Sequence, residues 1–134
     1  MYTVKFSTYC FVKREGEFWV GLALIKDEQA GDAISFDYTL PLEASSSPEE
    51  AEMGVIYELA ASAPLVMPLV PNIHIMWYVS SPAVKELIEA TPAVLFRLEK
   101  VGSYSIELME ESIRIKALQE INQNDTNKSS EASS

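Results

Sequence analysis

The chain has 134 residues, 10 Lys+Arg against 20 Asp+Glu and a formal net charge of -10, a size that suits one domain and leaves little room for a second. Hydrophobic residues make up 48% and charged residues 22%; this is a globular composition whose acidic bias argues against gripping phosphate backbones through clustered Lys and Arg. One Cys and one His exclude a disulfide framework and a Cys/His zinc site, and they leave His74 as the sole base for a Ser- or Cys-based triad.

Residues 2–12 are rich in Val, Phe, Thr and Tyr and predict a strand, apolar on both faces from Tyr9 onward. Arg14 to Glu17 supply a turn, Phe18 to Ile25 the returning strand, and Lys26 to Asp32 a second polar turn with Gly31. In residues 33–40, Ile34, Phe36, Tyr38 and Leu40 alternate with Ser35, Asp37 and Thr39, the pattern of a half-buried strand. Short turns between three strands predict an antiparallel meander.

A helix is expected next. Ser47 is a good N-cap, Pro48 suits the first helical position, and Glu49 and Glu50 favour the positive helix end. Ala51, Val55, Ile56, Leu59, Ala60 and Ala63 recur at helical spacing, so the helix runs to about Ser62 with Glu52 on its apolar face. A Pro-rich connection reaches Pro71, and residues 72–79 (NIHIMWYV) read as a buried strand. Ser81-Pro82 repeats the cap-then-proline start for a helix to about Ala90, and Thr91-Pro92 opens a further helical turn through Phe96. Residues 104–109 form a last strand and residues 111–121 a last helix, with Ile115 and Leu118 facing inward. Residues 123–134 have no periodicity and are expected to be a disordered polar tail behind a domain of residues 1–122.

The N-terminus lacks the charged and apolar regions of a signal peptide. From Leu59 to Val84 no Lys, Arg, Asp or Glu occurs, a run long enough to span a bilayer. Pro64, Pro68, Pro71 and Pro82 interrupt it, however, and lipid cannot replace the backbone donors that proline removes. A cytoplasmic protein is therefore expected, in which the Asn-x-Ser/Thr patterns at Asn124 and Asn127 are chance.

The element order, three strands, helix, strand, helices, strand, helix, resembles the ribonuclease H-like superfamily, an α+β (α/β) fold with a five-stranded mixed sheet in the order βββαβαβα and helices packed on it. Where that family has apolar-Thr-Asp-Gly on the first strand, this chain reads Phe6-Ser7-Thr8-Tyr9; for Ala-Glu-Leu on the first helix it reads Ala51-Glu52-Met53. For Thr-Asp-Ser after the fourth strand it reads Val79-Ser80-Ser81, and for the Asp of the terminal helix it reads Lys116-Ala117-Leu118. The resemblance implies a two-magnesium nuclease site held by four carboxylates, at positions that here carry Thr8, Glu52, Ser80 and Lys116. Hard divalent ions need oxygen ligands and a bridging carboxylate. Residues 2–12 contain no Asp or Glu, and Lys116 brings the wrong sign of charge. The expectation is a catalytically inactive domain with no catalytic residues, no metal and no cofactor.

The remaining candidates have ordinary readings. Glu52 is expected near the helix start, partly solvated, with an ion pair to Lys116 as the alternative. His74 reads as a satisfied strand histidine, Cys10 as a buried inert thiol, and Trp19, Trp77 and Tyr78 as core aromatics. Between Asp27 and Val84 there is no Lys or Arg, yet there are nine acids: Asp27, Glu28, Asp32, Asp37, Glu43, Glu49, Glu50, Glu52 and Glu58. Asp27, Glu28, Asp32, Asp37, Glu49, Glu50 and Glu58 predict an acidic face that binds a basic protein and repels nucleic acid. The expected function is an acidic protein-binding module, an inhibitor or adaptor of a nucleic-acid-binding protein of viral or mobile-element type. Two alternatives stand beside it: a divergent magnesium nuclease using Glu107, Glu110 and Glu111 with Glu52, and a homodimeric structural subunit packing through residues 64–71.

Overall fold

The computed structural model describes residues 3–40, 43, 46–67 and 72–133, with side chains described through Gln123. Strands β1 (Val4–Glu15), β2 (Phe18–Asp27) and β3 (Ala33–Leu40) form the antiparallel meander. Helix α1 (Pro48–Ser62) ends in a 3-10 turn, Ala63–Leu65, and is followed by β4 (Ile73–Val79), α2 (Pro82–Glu89), α3 (Pro92–Val101), β5 (Ser103–Leu108) and α4 (Glu111–Ser133). The five-stranded sheet has the order β3-β2-β1-β4-β5, with β1, β4 and β5 parallel.

Local chemistry explains most boundaries. Ser47 caps α1 by accepting from Glu50 N at 3.2 Å, and Pro48 follows at the first helical position. Ser81 does the same for α2 through Val84 N at 3.4 Å. β1 continues through Arg14 and Glu15, which the sequence places in a turn, because the hairpin closes in only two residues. Gly16 takes φ 62, and pairing reaches Glu15↔Phe18. Helix α3 runs on to Val101, past the Phe96 limit expected from sequence, with Val94 and Leu98 buried on its inner side.

The two sheet faces are covered differently. Phe6, Cys10, Trp19, Ala23, Ile75 and Trp77 face α1, α2 and α3 in the larger core, against Val55, Ile56, Leu59, Val84, Ile88 and Leu98. On the other face Tyr9 and Leu24 meet Ala117 and Ile121 of α4, with Phe11, Leu22 and Ile113 around them. The inward stripe of α4 is thus Ile113, Ala117 and Ile121. Ile115, expected inside, is 48% exposed, since a residue two places from Ile113 lies about 200° around the helix. The α4 backbone continues to Ser133 rather than stopping near Ile121, with no Gly or Pro in its sequence to interrupt it. Among the described residues no helix is long and apolar enough to cross a membrane. Pro68 to Pro71, in the expected dimer segment, lie outside the described residues.

Candidate functional site

The site lies where β4 leaves the sheet. Pairing of β1 with β4 ends at Tyr9↔Tyr78, and the chain turns at Ser80 into α2. Ligand sites of open α/β sheets form at such carboxyl ends of parallel strands, where neighbouring connections part.

Glu52 projects into this point from α1. It occupies the buried stripe Ala51, Glu52, Val55, Ile56 and is only 4% exposed, so the partly solvated position expected for it is corrected. Its carboxylate accepts from the Ser80 backbone N–H at 2.9 Å and from the Ser80 hydroxyl at 2.5 Å. Burial pushes the carboxyl above its ordinary range, and the two bonds from Ser80 pull it back. Beside it lies Cys10, 1% exposed, whose thiol is pushed well up by burial and further by the Glu52 charge. A buried protonated thiol is inert.

Around this pair opens a cleft of about 650 Å³. Its floor is β1 from Cys10 to Lys13 with Val20 and Leu22 of β2. One wall is Pro48, Glu49 and Glu52 of α1 with Ser81 and Val84; the other is Met109 with Glu111, Arg114 and Leu118 of α4. Both cations at the cleft are already paired, Lys13 with Glu15 at 2.8 Å and Arg114 with Glu111 at 3.3 Å.

Of the four positions inferred from sequence, the structure brings together Glu52 and Ser80 only. Thr8 is fully buried, donates its hydroxyl to Met76 O at 3.3 Å, and does not line the cleft. Cys10, two residues further along the same face of β1, stands there instead. Strand alternation identifies a face but not a depth along it. Lys116 is exposed and lies outside the cleft, where α4 presents Glu111 and Arg114. No Glu52–Lys116 ion pair occurs among the described residues.

The relocated-carboxylate set also separates. Glu111 lines the cleft with Glu52. Glu107 and Glu110 instead act on Tyr78, whose phenol is raised first by burial and then by the charges of Glu28, Glu107 and Glu110. His74 is held between Ser103 Oγ at 2.9 Å and Ser105 Oγ at 3.3 Å, while Ser103 donates to Ile73 O. The Ser103 hydroxyl, which gives its proton to Ile73 O, is thus an acceptor for the ring.

The acidic residues do not share one face. Asp27, Glu28 and Asp32 sit at the β2–β3 turn, where Asp27 Oδ1 accepts from Gln29 N and Ala30 N. Phe36 and Tyr38 pack toward α1, so Asp37 between them points to the opposite face. Glu49, Glu50 and Glu58 belong to α1, and of these Glu49 faces the cleft.

Among solved structures, the chain is similar to ribonuclease H1 from the halophilic archaeon Halobacterium salinarum NRC-1, with a TM-score of 0.54 and 16% identity, covering 81% of this chain and 87% of that one. It is also similar to the N-terminal ribonuclease H domain of rv2228c from Mycobacterium tuberculosis, solved as a fusion with maltose-binding protein, with a TM-score of 0.55 and 13% identity over 92% and 99% of the two chains. The chain has a ribonuclease H-like fold. No family model and no curated protein matches it.

The residues present do not fit the metal pair that a ribonuclease H-like fold implies. Both Glu52 oxygens are engaged by Ser80, and the β1 position beside them carries a buried, protonated thiol. Hard divalent ions require several oxygen ligands each. Among the described residues no three His, Cys, Asp or Glu side chains are grouped so as to hold one.

Proposed function

We propose that this ribonuclease H-like chain is a non-catalytic, acidic protein-binding module, acting as an inhibitor or adaptor of a basic, nucleic-acid-binding protein. The observation that carries this reading is the Glu52–Ser80 contact: the buried carboxylate at the junction of α1, β1 and β4 is capped from both oxygens by the residue after β4. These bonds serve a structural role for the carboxylate, since they satisfy it within the fold. The net charge of -10 adds to it, because such a field repels phosphates and steers basic surfaces.

The test has two arms. The full chain is incubated with an RNA–DNA hybrid and with magnesium or manganese, and its thermal unfolding is followed across a metal titration. Neither cleavage nor a metal-dependent rise in melting temperature is expected; hybrid cleavage abolished by Glu52→Gln would overturn the reading. In the second arm, tagged chain is used to capture partners at low and high salt. A basic nucleic-acid-binding protein retained only at low salt is expected, and the absence of any salt-sensitive partner would sink the binding role.

A further inference from the structure

Strand β1 outruns its neighbour β4. The β1–β4 ladder ends at Tyr9↔Tyr78, whereas β1–β2 pairing continues to Glu15↔Phe18. The hairpin closes through Gly16 and Glu17, and the positive φ at Gly16 alone marks a type II′ turn. The closing pair of such a turn exchanges both of its hydrogen bonds. Glu15, Lys13 and Phe11 therefore bond to β2, while Val12 and Arg14 turn their backbone N–H and C=O groups the other way. Val4 has the same parity as Val12, and it donates to Asn72 O at the β4 side at 3.0 Å. Beyond Tyr9, no described strand covers that side of β1; the cleft lies there instead.

An unpaired strand edge is a template for an extended chain. This one is flanked by apolar side chains, Val84 from α2 and Leu118 from α4. Its charge is also uneven. Lys13 and Arg114 are neutralised by Glu15 and Glu111, which leaves Glu49 and Glu52 facing the cleft without an ion pair among the described residues. Nucleic acid offers no matching backbone donors and would set its phosphates against these carboxylates.

We propose that the cleft takes an extended basic segment of a partner protein, which adds as a short strand to the outer edge of β1 at Val12 and Arg14 and sets a Lys or Arg side chain beside Glu49. The proposal rests on the reading of the chain as a protein-binding module. Backbone pairing supplies the affinity, and the alternating side chains of the segment meet the α1–α2 wall and the α4 wall in turn.

The experiment pans the full chain against random linear peptides displayed on phage, and measures an enriched peptide by fluorescence anisotropy and amide hydrogen exchange. Peptides alternating apolar residues with Lys or Arg are expected. The Val12 and Arg14 amides should slow by about tenfold or more when such a peptide binds. Val12→Pro removes the backbone donor that faces the cleft, along with a side chain packed against the larger core, and it should weaken binding by about tenfold or more. Glu49→Lys should weaken the basic peptide but not its Lys-to-Ala version. The absence of enrichment overturns the proposal, and so does unchanged exchange at Val12 and Arg14 in the bound state. Should Val12→Pro fail to fold, the exchange measurement on the unaltered chain decides alone. A captured partner that holds the chain and Val12→Pro equally would leave the binding role standing and remove strand addition. Hybrid cleavage would remove the binding role whatever the peptides do.

Discussion

Ser80 donates both its backbone N–H and its hydroxyl to the two carboxylate oxygens of Glu52, at 2.9 and 2.5 Å. The contact joins the first turns of α1 to the exit of β4, across residues separated by 28 positions in sequence. It satisfies a buried acid without any cation. Each of the two oxygens thus has a donor supplied from within the chain.

Ser80→Ala deletes the hydroxyl and leaves one oxygen of a buried carboxylate without its donor. Loss of a hydrogen bond to a charged group costs about 2 kcal/mol, so thermal unfolding at pH 7 should begin roughly 4–8 °C lower. The deficit should shrink as pH falls toward 4, because protonated Glu52 needs that donor less. An unchanged melting temperature at pH 7 would show that the contact contributes nothing.

Glu52 sets a pH dependence of defined sign. Its folded pKa is raised above its unfolded value, chiefly by burial. The folded state therefore holds this proton more tightly, and the stability linked to it is complete below the unfolded pKa and lost as pH rises through the folded one. Glu52→Gln removes the titration while keeping an acceptor for the Ser80 N–H. The variant should match the parent near pH 4 and melt higher at pH 7. A difference that stayed constant from pH 4 to 7 would contradict this.

Gly21 is a packing glycine. It lies on the α1 face of β2, and a Cβ built there would collide with one methyl group of Val55 and crowd the other, Val55 itself being fully buried. Gly21→Ala should cost about 1–3 kcal/mol by overpacking. Adding Val55→Ala should recover part of that loss, read as a positive coupling in a double-mutant cycle of denaturation midpoints.

Lys26 Nζ meets Glu120 Oε1 at 2.8 Å and ties β2 to α4, with both side chains about three-quarters shielded (21% and 24% exposed). Glu120→Gln should lower stability by about 0.5–1 kcal/mol, and the loss should fade in molar salt. An effect equally large at high salt would mean that packing, and not charge, holds the contact.

The fold was largely legible because its signals are local. The alternation of Ile34, Phe36, Tyr38 and Leu40 delimits β3 as Ala33–Leu40, and the Ser-Pro starts mark α1 and α2. The site was legible only in part. Glu52 could be placed by its helical phase, but Cys10 could not be preferred to Thr8. Both lie on one face of β1, and only the point at which β4 departs selects between them. On α4, Ile113, Ile115, Ala117, Leu118 and Ile121 allow more than one inward stripe, and contact with Tyr9 and Leu24 decides for 113, 117 and 121. The acidic run is continuous in sequence yet divided in space, since alternation sends Asp37 away from the acids of α1.

The two tryptophans, Trp77 fully buried and Trp19 at 6% exposure, keep their indole N–H groups away from any described hydrogen-bond partner. Indoles in so dry a setting emit at short wavelength, and water reaching them on unfolding shifts that light to the red. Trp77 lies on β4 beside β1, and Trp19 on β2 opposite Arg14 and Leu40. The chain thus carries two built-in optical reporters in its sheet, and their emission gives the melting of every variant above without dye or label.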